Sequence, residues 1–320
     1  MRVLVTGVGG ELGTRVAMLL DADRRVDVLA GIDLVPPRRS IASLHFTEVD
    51  PRDRRRLLAP VREIEPTAIV HLGVYEPDAR SSPRVARERT SANTRTVLGA
   101  AADLGSLDRI VVRSGIEVYG RARGSATVPD ESVPPDPTTP FARSLLEVER
   151  LAAEAGAAAD VPVCTLRMAP YIGARVPSPL ARYLRLPVVP VSALADPTFS
   201  VLHVEDAAKA VVAALLAGPD DTVNVVAPGA VSVWQAARLG GRVPVPLLGP
   251  EWRLVRYLAD LAGAPVPDHL LELIHRGRTA DGGRAREILG VEPRRTTRAS
   301  VEAAQRSDTV PLRVVERSAA

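Results

Sequence analysis

The chain begins with an apolar segment that leads straight into a glycine-rich turn, and no other feature constrains the fold as strongly. Residues 1–13 read MRVLVTGVGGELG, with a predicted strand over Arg2–Thr6 followed by Gly7, Gly10 and Gly13. A backbone that passes close to a pyrophosphate has no room for a Cβ atom, and free N–H groups at the start of the next helix favour an anion. The spacing predicts a dinucleotide site; a tight strand–helix turn without a ligand is the alternative interpretation.

An acidic residue follows at the place where a dinucleotide site needs one. A second predicted strand, Val26–Ile32, ends at Asp33. A carboxylate at that place accepts hydrogen bonds from an adenosine ribose and repels a 2′-phosphate. We therefore expect NAD as the cofactor, with NADP as the less favoured alternative that Arg38 and Arg39 keep open.

Length and composition indicate a globular protein. The 320 residues are 46% hydrophobic, enough for a large core, and no stretch approaches the ~20 apolar residues of a membrane span. The first residues enter a strand without a signal-peptide pattern, so we expect a cytoplasmic protein with no membrane partner. The single cysteine, Cys164, lies in an apolar strand and is expected in the core.

Charge and ligand types exclude two classes of function. The formal charge is only +3, and acids alternate with bases, so no nucleic-acid partner is expected. The five histidines are scattered without ligand spacing, and one cysteine cannot complete a thiolate set, so we expect no metal site. The chain contains a single lysine, Lys209.

Strand and helix patterns alternate through the first half, which is typical of a parallel sheet covered on both faces. The fold class predicted is α/β, a Rossmann doubly wound parallel sheet with a small, mostly helical C-terminal cap. The further predicted strands are Phe46–Val49, Ala68–Leu72, Arg109–Ser114 and Val161–Met168. The predicted helices between them are Asp53–Glu63, Pro83–Leu104 and Thr139–Ala157.

The second half is rich in proline after Arg167 and is expected to be irregular before a strand and helix over Phe199–Leu216 and a strand over Val223–Val226. We predict an NAD-binding domain over residues 1–166, with 198–227 returning to its sheet. Residues 167–197 and 228–310 form the predicted substrate-binding cap, and 311–320 a tail. The predicted cap helices are Val231–Leu239, Glu251–Ala262, His269–His275, Gly283–Leu289 and Thr297–Gln305.

Several further motifs follow one another in an order that resembles a known family. The chain is similar to the extended short-chain dehydrogenases/reductases, in the NAD-dependent epimerase/dehydratase group, with a UDP-glucose 4-epimerase-like character. The resemblance runs from Arg2 to about Ala303. Besides the glycine turn and Asp33, the matching segments are Asp50-Pro-Arg-Asp53, His71-Leu-Gly73, Asn93, Glu117-Val-Tyr-Gly120, Leu166-Arg167 with Gly173, His203-Val-Glu-Asp206, Asn224-Val225 and Gly290-Val-Glu-Pro-Arg-Arg295.

The resemblance implies a set of residues around NAD and a set around a small-molecule substrate of the nucleotide-sugar type. The implied cofactor-binding residues are Gly7, Gly9, Gly10, Glu11, Leu12, Gly13, Asp33, Asp50, Pro51, Leu72, Gly73, Asn93 and Arg113. The implied substrate-binding residues are Tyr75, Arg175, Arg182 and His203. The family's asparagine after the Leu-Arg pair is Pro170 here, which weakens the nucleotide-sugar interpretation.

The residues that carry proton chemistry in the family are missing. The tyrosine and the lysine four residues later fall on Phe141 and Leu145, and the serine or threonine that assists them falls on Gly115. A shift in alignment does not recover the pair, because Lys209 lies in a different helix and no Tyr-x-x-x-Lys occurs. The loss of one positioned acid or base typically costs ~10²–10⁴ in rate.

Three side chains near the same place are the remaining catalytic candidates: Glu117, Tyr119 and Ser114. Glu117 could equally be an ion-paired glutamate, and Tyr119 a packing residue. Strand alternation is expected to turn Ser114 to the face opposite Gly115. His71 and His203 are read as structural residues in preference to catalytic ones.

Two classes of function stay open on these observations. The first is an NAD-dependent oxidoreductase, epimerase or dehydratase with a rebuilt acid/base set. The second is a non-catalytic NAD(H)-binding sensor or assembly partner. By the resemblance, helices Pro83–Leu104 and Thr139–Ala157 also imply a homodimer.

Overall fold

The computed structural model describes residues 1–78, 81–249, 251–261 and 265–306. The predicted tail 311–320, the last cap residues to 310 and Ala262 lie outside them. The strands in this part of the chain are β1 (Arg2–Thr6), β2 (Val28–Asp33), β3 (Leu44–Glu48), β4 (Ala68–His71), β5 (Arg109–Gly115), β6 (Val163–Met168), β7 (Tyr171–Ile172), β8 (Val188–Ser192), β9 (Thr198–Phe199), β10 (Leu202–His203), β11 (Asp221–Val225), β12 (Val231–Ser232) and β13 (Val243–Leu247).

Helices connect these strands. They are α1 (Glu11–Asp21), α2 (Arg54–Ile64), α3 (Pro83–Ala102), α4 (Pro140–Ala159), α5 (Pro179–Leu184), α6 (Val204–Ala217), α7 (Val233–Leu239), α8 (Glu251–Leu261), α9 (Asp268–Arg276), α10 (Gly283–Leu289) and α11 (Thr297–Arg306), with a short 3₁₀ turn over Ile116–Tyr119. None of these helices is long and apolar enough to cross a membrane.

Seven strands form one parallel sheet in the order β11-β6-β5-β4-β1-β2-β3. Helices α1 and α6 pack together on one side, while α2, α3 and α4 pack in a row on the other. Chain order reverses between β1 and β4, which is where ligands bind in sheets of this kind. The predicted doubly wound α/β fold is confirmed.

The first turn has the glycine conformation that the sequence predicts. Gly7 has φ +76°, a value that side chains rarely tolerate. A Cβ atom on Gly13 would lie 2.1 Å from the Gly7 carbonyl oxygen, so only glycine lets α1 start this close to the turn. Behind the turn, Val3, Leu4 and Val5 are fully buried.

The proline-rich segment contains short strands where the sequence predicted irregular backbone. Strands β8 and β13 pair in parallel, although each contains proline, with Val245 opposite Pro190. Each strand of a two-stranded ribbon has a free edge, so a proline can direct its missing donor outward. Local propensity could not reveal this pairing, because the two strands lie about fifty residues apart in the chain.

Two clusters of buried apolar residues lie in the molecule. The larger surrounds the seven-stranded sheet. The smaller joins Ile172, Phe199, Trp252, Ile274 and Val301. Helix α10, which the sequence placed in the cap, packs against β11 and α6 beside the larger cluster. The predicted division into two domains stays a prediction.

Candidate functional site

A cleft lies between the start of α1 and the residues of the smaller cluster, above the carboxyl ends of β5 and β6. It encloses a cavity of about 150 Å³, or about 870 Å³ when the open mouth is counted. Its lining comes from both halves of the chain: Gly10, Glu11, Arg38, Glu76, Arg113, Ser114, Gly115, Glu117, Phe141, Met168, Ala169, Pro170, Tyr171, Val176, Pro177, Ser178, Leu180, His269, Leu270 and Leu273.

The start of α1 has the features that a pyrophosphate needs. Gly10 is the N-cap residue and provides no side-chain hydrogen bond to the first turn, so the first N–H groups of the helix are open to an anion. Gly9 N donates instead to Asp33 Oδ2 at 2.8 Å, which fixes the turn against the end of β2. The backbone here fits a dinucleotide, and Leu12 is packed beneath it in the core.

Glu11 places a carboxylate at the same helix start, where it would oppose a bound anion. It is buried and forms an ion pair with Arg15 at 2.8 Å, while Arg38 Nε lies 3.8 Å from its other oxygen. Arg38 also lines the cleft. The two arginines offset the charge of Glu11, so the helix start stays suited to an anion.

Asp33 occupies the predicted ribose position at the end of β2. Its carboxylate is buried, which raises its pKa, and hydrogen bonds from Gly9 N and Leu34 N oppose that rise. A carboxylate held by backbone donors keeps lone pairs for ligand hydroxyls.

Asp50 and Pro51 follow β3 at the same edge of the sheet. Hydrogen bonds and charge from Arg52 hold the pKa of Asp50 at about 2. The Asp50 carboxylate lies 2.6 Å from Arg52 and 3.9 Å from Arg89, while Pro51 is buried. Asp50 is therefore ionised and already paired.

The segment after β4 is fixed by hydroxyl and amide groups. Gly73 N donates to Thr6 Oγ1 at 3.1 Å, and Asn93 Nδ2 donates to Gly73 O at 3.2 Å. The preceding Leu72 is buried. These bonds join β1, the segment after β4 and α3 into one wall beside the predicted cofactor position.

His71 is a structural residue in this wall. Its ring nitrogens lie 2.8 Å from Thr6 Oγ1 and 2.9 Å from Thr94 Oγ1, and it is fully buried. Burial lowers its pKa to about 4. The imidazole is therefore neutral at physiological pH, as the sequence interpretation preferred.

Of the two predicted site residues Tyr75 and Arg113, only Arg113 lines the cleft. Burial raises the Tyr75 pKa, and the nearby carboxylates of Asp33 and Asp50 add to the effect. Tyr75 is absent from the cleft lining, and its predicted substrate contact stays a prediction. Arg113 does line the cleft, donating to Val74 O at 3.1 Å and lying over the Tyr171 ring.

Apolar side chains pack at the positions where the sequence comparison predicts the family's catalytic residues. Phe141 is at the cleft, and Leu145 is buried beside Gly115. A Cβ atom on Gly115 would lie 3.2 Å from Leu145 Cδ1 and 2.2 Å from Glu117 Oε2. A larger residue at position 115 would therefore require the Glu117 carboxylate to move and would press on Leu145.

Ser114 and Tyr119 belong to a buried polar network. Ser114 Oγ donates to Glu149 Oε1 at 2.5 Å, and Arg167 binds Glu149 with Nε at 3.0 Å and Nη2 at 2.8 Å. Arg167 also donates to the Tyr119 hydroxyl, which donates to Asn224 Oδ1 at 2.8 Å. Ser114 contributes to the cleft lining, and its hydroxyl proton is engaged by Glu149; Tyr119 is outside the lining.

Glu117 lies at the cleft but is paired from behind. Arg278, which is 1% exposed, places Nη1 3.4 Å from Glu117 Oε1 and forms a second ion pair with Glu272. Arg278 was not predicted from the sequence, because no local pattern links it to residues far earlier in the chain. Glu117 is thus an ion-paired glutamate, which is one of the two interpretations that the sequence left open.

The predicted substrate arginines and His203 lie outside the cleft lining. Arg175 is exposed and Arg182 half-buried. His203 caps α6 through Nδ1, which accepts from Glu205 N, and its Nε2 lies 2.7 Å from Arg295 Nη1. This contact joins α6 to the segment before α11, which is consistent with the structural role that the sequence predicted for His203.

His269 and Glu76 are cleft residues that sequence reasoning did not select. Nε2 of His269 lies 2.9 Å from Glu76 Oε1, and its ring centroid is 4.7 Å from that of Phe141. Glu76 follows β4, whereas His269 is in the first turn of α9. No spacing rule connects two residues so far apart, so only a test of all histidines against the fold would have found them.

The described residues include no group of three or more histidine, cysteine or acidic side chains arranged around a metal position. Cys164 is buried in β6, and burial raises its pKa to about 12. The thiol is therefore an inert core group.

Comparison with known proteins gives a family and a set of similar folds. The model of the NAD dependent epimerase/dehydratase family matches residues 3–226. An uncharacterized protein of Mycobacterium tuberculosis is 28% identical over 304 residues, covering 92% of this chain and 81% of that protein. The UDP-glucose 4-epimerase of Azospirillum brasilense is 28% identical, covering 87% of this chain and 69% of that protein.

Solved structures share the fold at low identity. The UDP-glucose 4-epimerase of Thermotoga maritima, solved with UDP-glucose, has a TM-score of 0.74 at 18% identity, covering 95% of this chain and 97% of that chain. The UDP-glucuronic acid 4-epimerase of Bacillus cereus, solved with UDP-glucuronic acid and NAD, has a TM-score of 0.74 at 18% identity, covering 95% and 98%.

Proposed function

The chain belongs to the NAD-dependent epimerase/dehydratase family, and from that premise we propose that it binds NAD along the Gly7–Gly13 turn and uses it on a nucleotide sugar held in the cleft. The observation that carries the proposal is the cleft itself, which joins the start of α1 to charged side chains near the smaller cluster. The UDP-sugar and NAD ligands of structures with the same fold support the same pairing of cofactor and substrate.

The chain's own groups account for cofactor binding. The N–H groups at the start of α1 bind the pyrophosphate, with Arg38 above them, and Asp33 accepts hydrogen bonds from the ribose. Leu72, Gly73 and Asn93 form the wall alongside. Bound NAD would supply a hydride acceptor, which none of the amino acid side chains can provide.

The preference for NAD over NADP rests on Asp33. A 2′-phosphate would meet a buried carboxylate that backbone bonds hold in place. Arg38 and Arg39 are exposed nearby and offer the only opposing argument.

We expect Asp33→Asn to weaken NAD binding about tenfold and to strengthen NADP binding, because the replacement keeps the shape and removes the charge. Isothermal calorimetry with both dinucleotides measures the two affinities. Asp103→Asn is the matched control, since Asp103 is exposed at the end of α3. Tighter binding of NADP than of NAD by the wild-type protein would contradict the preference.

A non-catalytic NAD(H)-binding protein is the second candidate. The observation in its favour is the apolar packing of Phe141 and Leu145 where the family has its catalytic pair. Such a protein would bind the cofactor and change shape with its redox state without turning over a sugar.

Single-turnover reduction separates the two candidates. The protein loaded with NAD is mixed with a panel of UDP-hexoses and UDP-hexuronic acids, and absorbance of the reduced nicotinamide and the products are followed. The proposal expects reduction or a changed sugar with at least one member of the panel. If bound NAD stays oxidised with every sugar and no product forms, the result would favour the non-catalytic NAD(H)-binding protein.

A further inference from the structure

The cleft contains one imidazole, and its surroundings suit proton transfer. His269 is 6% exposed, lines the cleft and is joined to Glu76 by the 2.9 Å contact between Nε2 and Oε1. The two residues come from opposite sides, Glu76 from the segment after β4 and His269 from α9. The pair is therefore formed only when the second half of the chain packs over the sheet.

The imidazole of the pair lies next to Phe141, the residue at the position of the family's catalytic tyrosine. The Phe141 ring lies 4.7 Å from the imidazole, tilted by 41°. Phe141 stands where the family places its tyrosine, so the imidazole is in contact with the side chain that has lost the hydroxyl. His269 lines the same cleft as Ser114, Gly115 and Glu117.

The carboxylate partner fixes which ring nitrogen is free. An ionised carboxylate can only accept, so Nε2 of the neutral ring must carry the hydrogen that Glu76 binds. Nδ1 then holds a lone pair, and it makes no hydrogen bond to the residues that the structure describes. This is the arrangement of an imidazole base oriented by an acidic residue.

The other ionisable groups of the cleft suit the task less well. Glu11 is paired with Arg15 at 2.8 Å, and Glu117 lies 3.4 Å from the buried Arg278. Burial raises the pKa of Tyr171, so its phenol keeps its proton. Arg38 and Arg113 are permanently charged guanidinium groups and cannot act as bases.

We propose that His269 is the catalytic acid/base of this site and that Glu76 is its positioning residue, in place of the family's tyrosine. The inference rests on the proposed function. During oxidation of a sugar hydroxyl, Nδ1 takes the hydroxyl proton while the hydrogen on the same carbon leaves with its electron pair as hydride to oxidised NAD. The O–H and C–H bonds break, a C=O and an N–H bond form, and the sugar loses two electrons.

The groups that face the imidazole define how its behaviour would vary with pH. Glu76 faces it from the segment after β4, Asp268 and Glu272 flank it on α9, and α4 contacts it through the uncharged Phe141 ring. Arg256 of α8 pairs with Asp268 at 3.2 Å, and Arg278 pairs with Glu272. Arg113 and Tyr171 lie beside Glu76 in the cleft.

The main test compares His269→Gln with the wild-type protein in the single-turnover assay, using calorimetry to confirm NAD binding and melting to confirm folding. We expect the rate of NAD reduction to fall by about 10²-fold or more while NAD affinity changes less than about twofold. His275→Gln is the matched control, because His275 lies on the same helix and packs on Trp252 away from the cleft. It should react at the wild-type rate.

Glu76→Gln separates proton transfer from a structural latch. Glutamine still reaches the imidazole across the cleft, so a latch would keep the wild-type rate and melting temperature. Loss of the charge removes the preference for Nε2–H, so we expect the rate to fall by about 10²-fold. Imidazole ¹⁵N spectra of the wild-type protein should show His269 protonated at Nε2, and those of Glu76→Gln a mixture of both tautomers.

Each outcome bears on a stated claim. Reduction of NAD at similar rates by wild type and His269→Gln would overturn this inference and leave the proposed function standing. Wild-type spectra with the hydrogen on Nδ1 would also overturn it. No reduction by the wild-type protein with any sugar would overturn the proposed function and this inference together.

Discussion

His71 and His269 are both buried, yet their surroundings give the two imidazoles different roles. His71 lies between two threonine hydroxyls in the core, and burial lowers its pKa to about 4. His269 has a carboxylate partner and borders the cleft. Residue type alone makes both of them candidates for acid/base chemistry, and only the partners distinguish them.

His71 should make the protein less stable in mild acid. Its folded pKa of about 4 lies below the ordinary histidine value of 6.5, so the unfolded chain binds more protons between these values and stability falls as the pH falls through them. Urea unfolding should therefore show the wild type losing about 2 kcal/mol more than His71→Gln between about pH 7 and about pH 4.5.

The control for this experiment is His45→Gln, since His45 is exposed on β3. Its loss of stability between the two pH values should match that of the wild type. An equal loss in His71→Gln would mean that His71 is protonated in the folded protein.

Helix α4 shows how one element serves both the core and the cleft. Phe141 lines the cleft, and Leu145 packs beside Gly115. One turn further along the helix, the Glu149 carboxylate accepts hydrogen bonds from Ser114 and Arg167. The helix begins at Pro140 after the Thr139 cap, whose side chain accepts from Ala142 N. Its sequence predicted the helix but not the buried ion pair, because Arg167 is in the next strand.

Glu149→Gln should be strongly destabilising, and Glu154→Gln nearly neutral. Glu149 and Arg167 have side chains only 10% and 7% exposed, so removing one charge leaves the other buried without compensation, at a cost of about 3–5 kcal/mol. Glu154 and its partner Arg150 are more than half exposed on the same helix, and such pairs contribute roughly 0–1 kcal/mol.

Denaturant unfolding of the two variants measures this difference, with the slope m compared to ensure that the same cooperative transition is followed. Equal stabilities of the two variants would show that solvent reaches Glu149 in the folded protein.

At the scale of the whole molecule, the resemblance implies a homodimer through α3 and α4, which stays a prediction. The outward faces of these helices carry charged residues, among them Arg84, Arg87 and Glu88 on α3 and Arg143, Arg150 and Glu154 on α4. None of the large exposed apolar side chains among the described residues lies on either helix. A dimer through these faces would therefore depend on ion pairs.

We expect such a dimer to weaken at least about tenfold when the salt concentration is raised from about 0.05 M to about 0.5 M, since salt screens exposed charges. Sedimentation equilibrium measures the association. Arg87→Glu should weaken it at low salt, whereas Arg24→Glu, in the exposed turn after α1, should not. A protein that sediments as a monomer under all these conditions would contradict the prediction.

Local patterns in the sequence were enough to predict the architecture, because hydrophobic periodicity and turn chemistry involve neighbouring residues. The glycine turn, Asp33 after β2 and the alternation of strands and helices predicted the sheet and its order along the chain, with element ends displaced by a few residues. The same local patterns identified the family, whereas the absence of its catalytic pair at Phe141 and Leu145 stays a prediction.

The contacts between distant side chains became visible in the folded chain alone. The contact of Glu76 with His269 and that of Glu117 with Arg278 join residues separated by more than 150 positions. A pairing of this kind leaves no periodic trace in the sequence, since each partner is a single polar residue in an otherwise ordinary loop or helix. Whether a buried histidine is a core residue or a proton carrier depends on those partners, and they are set by how the second half of the chain packs over the sheet.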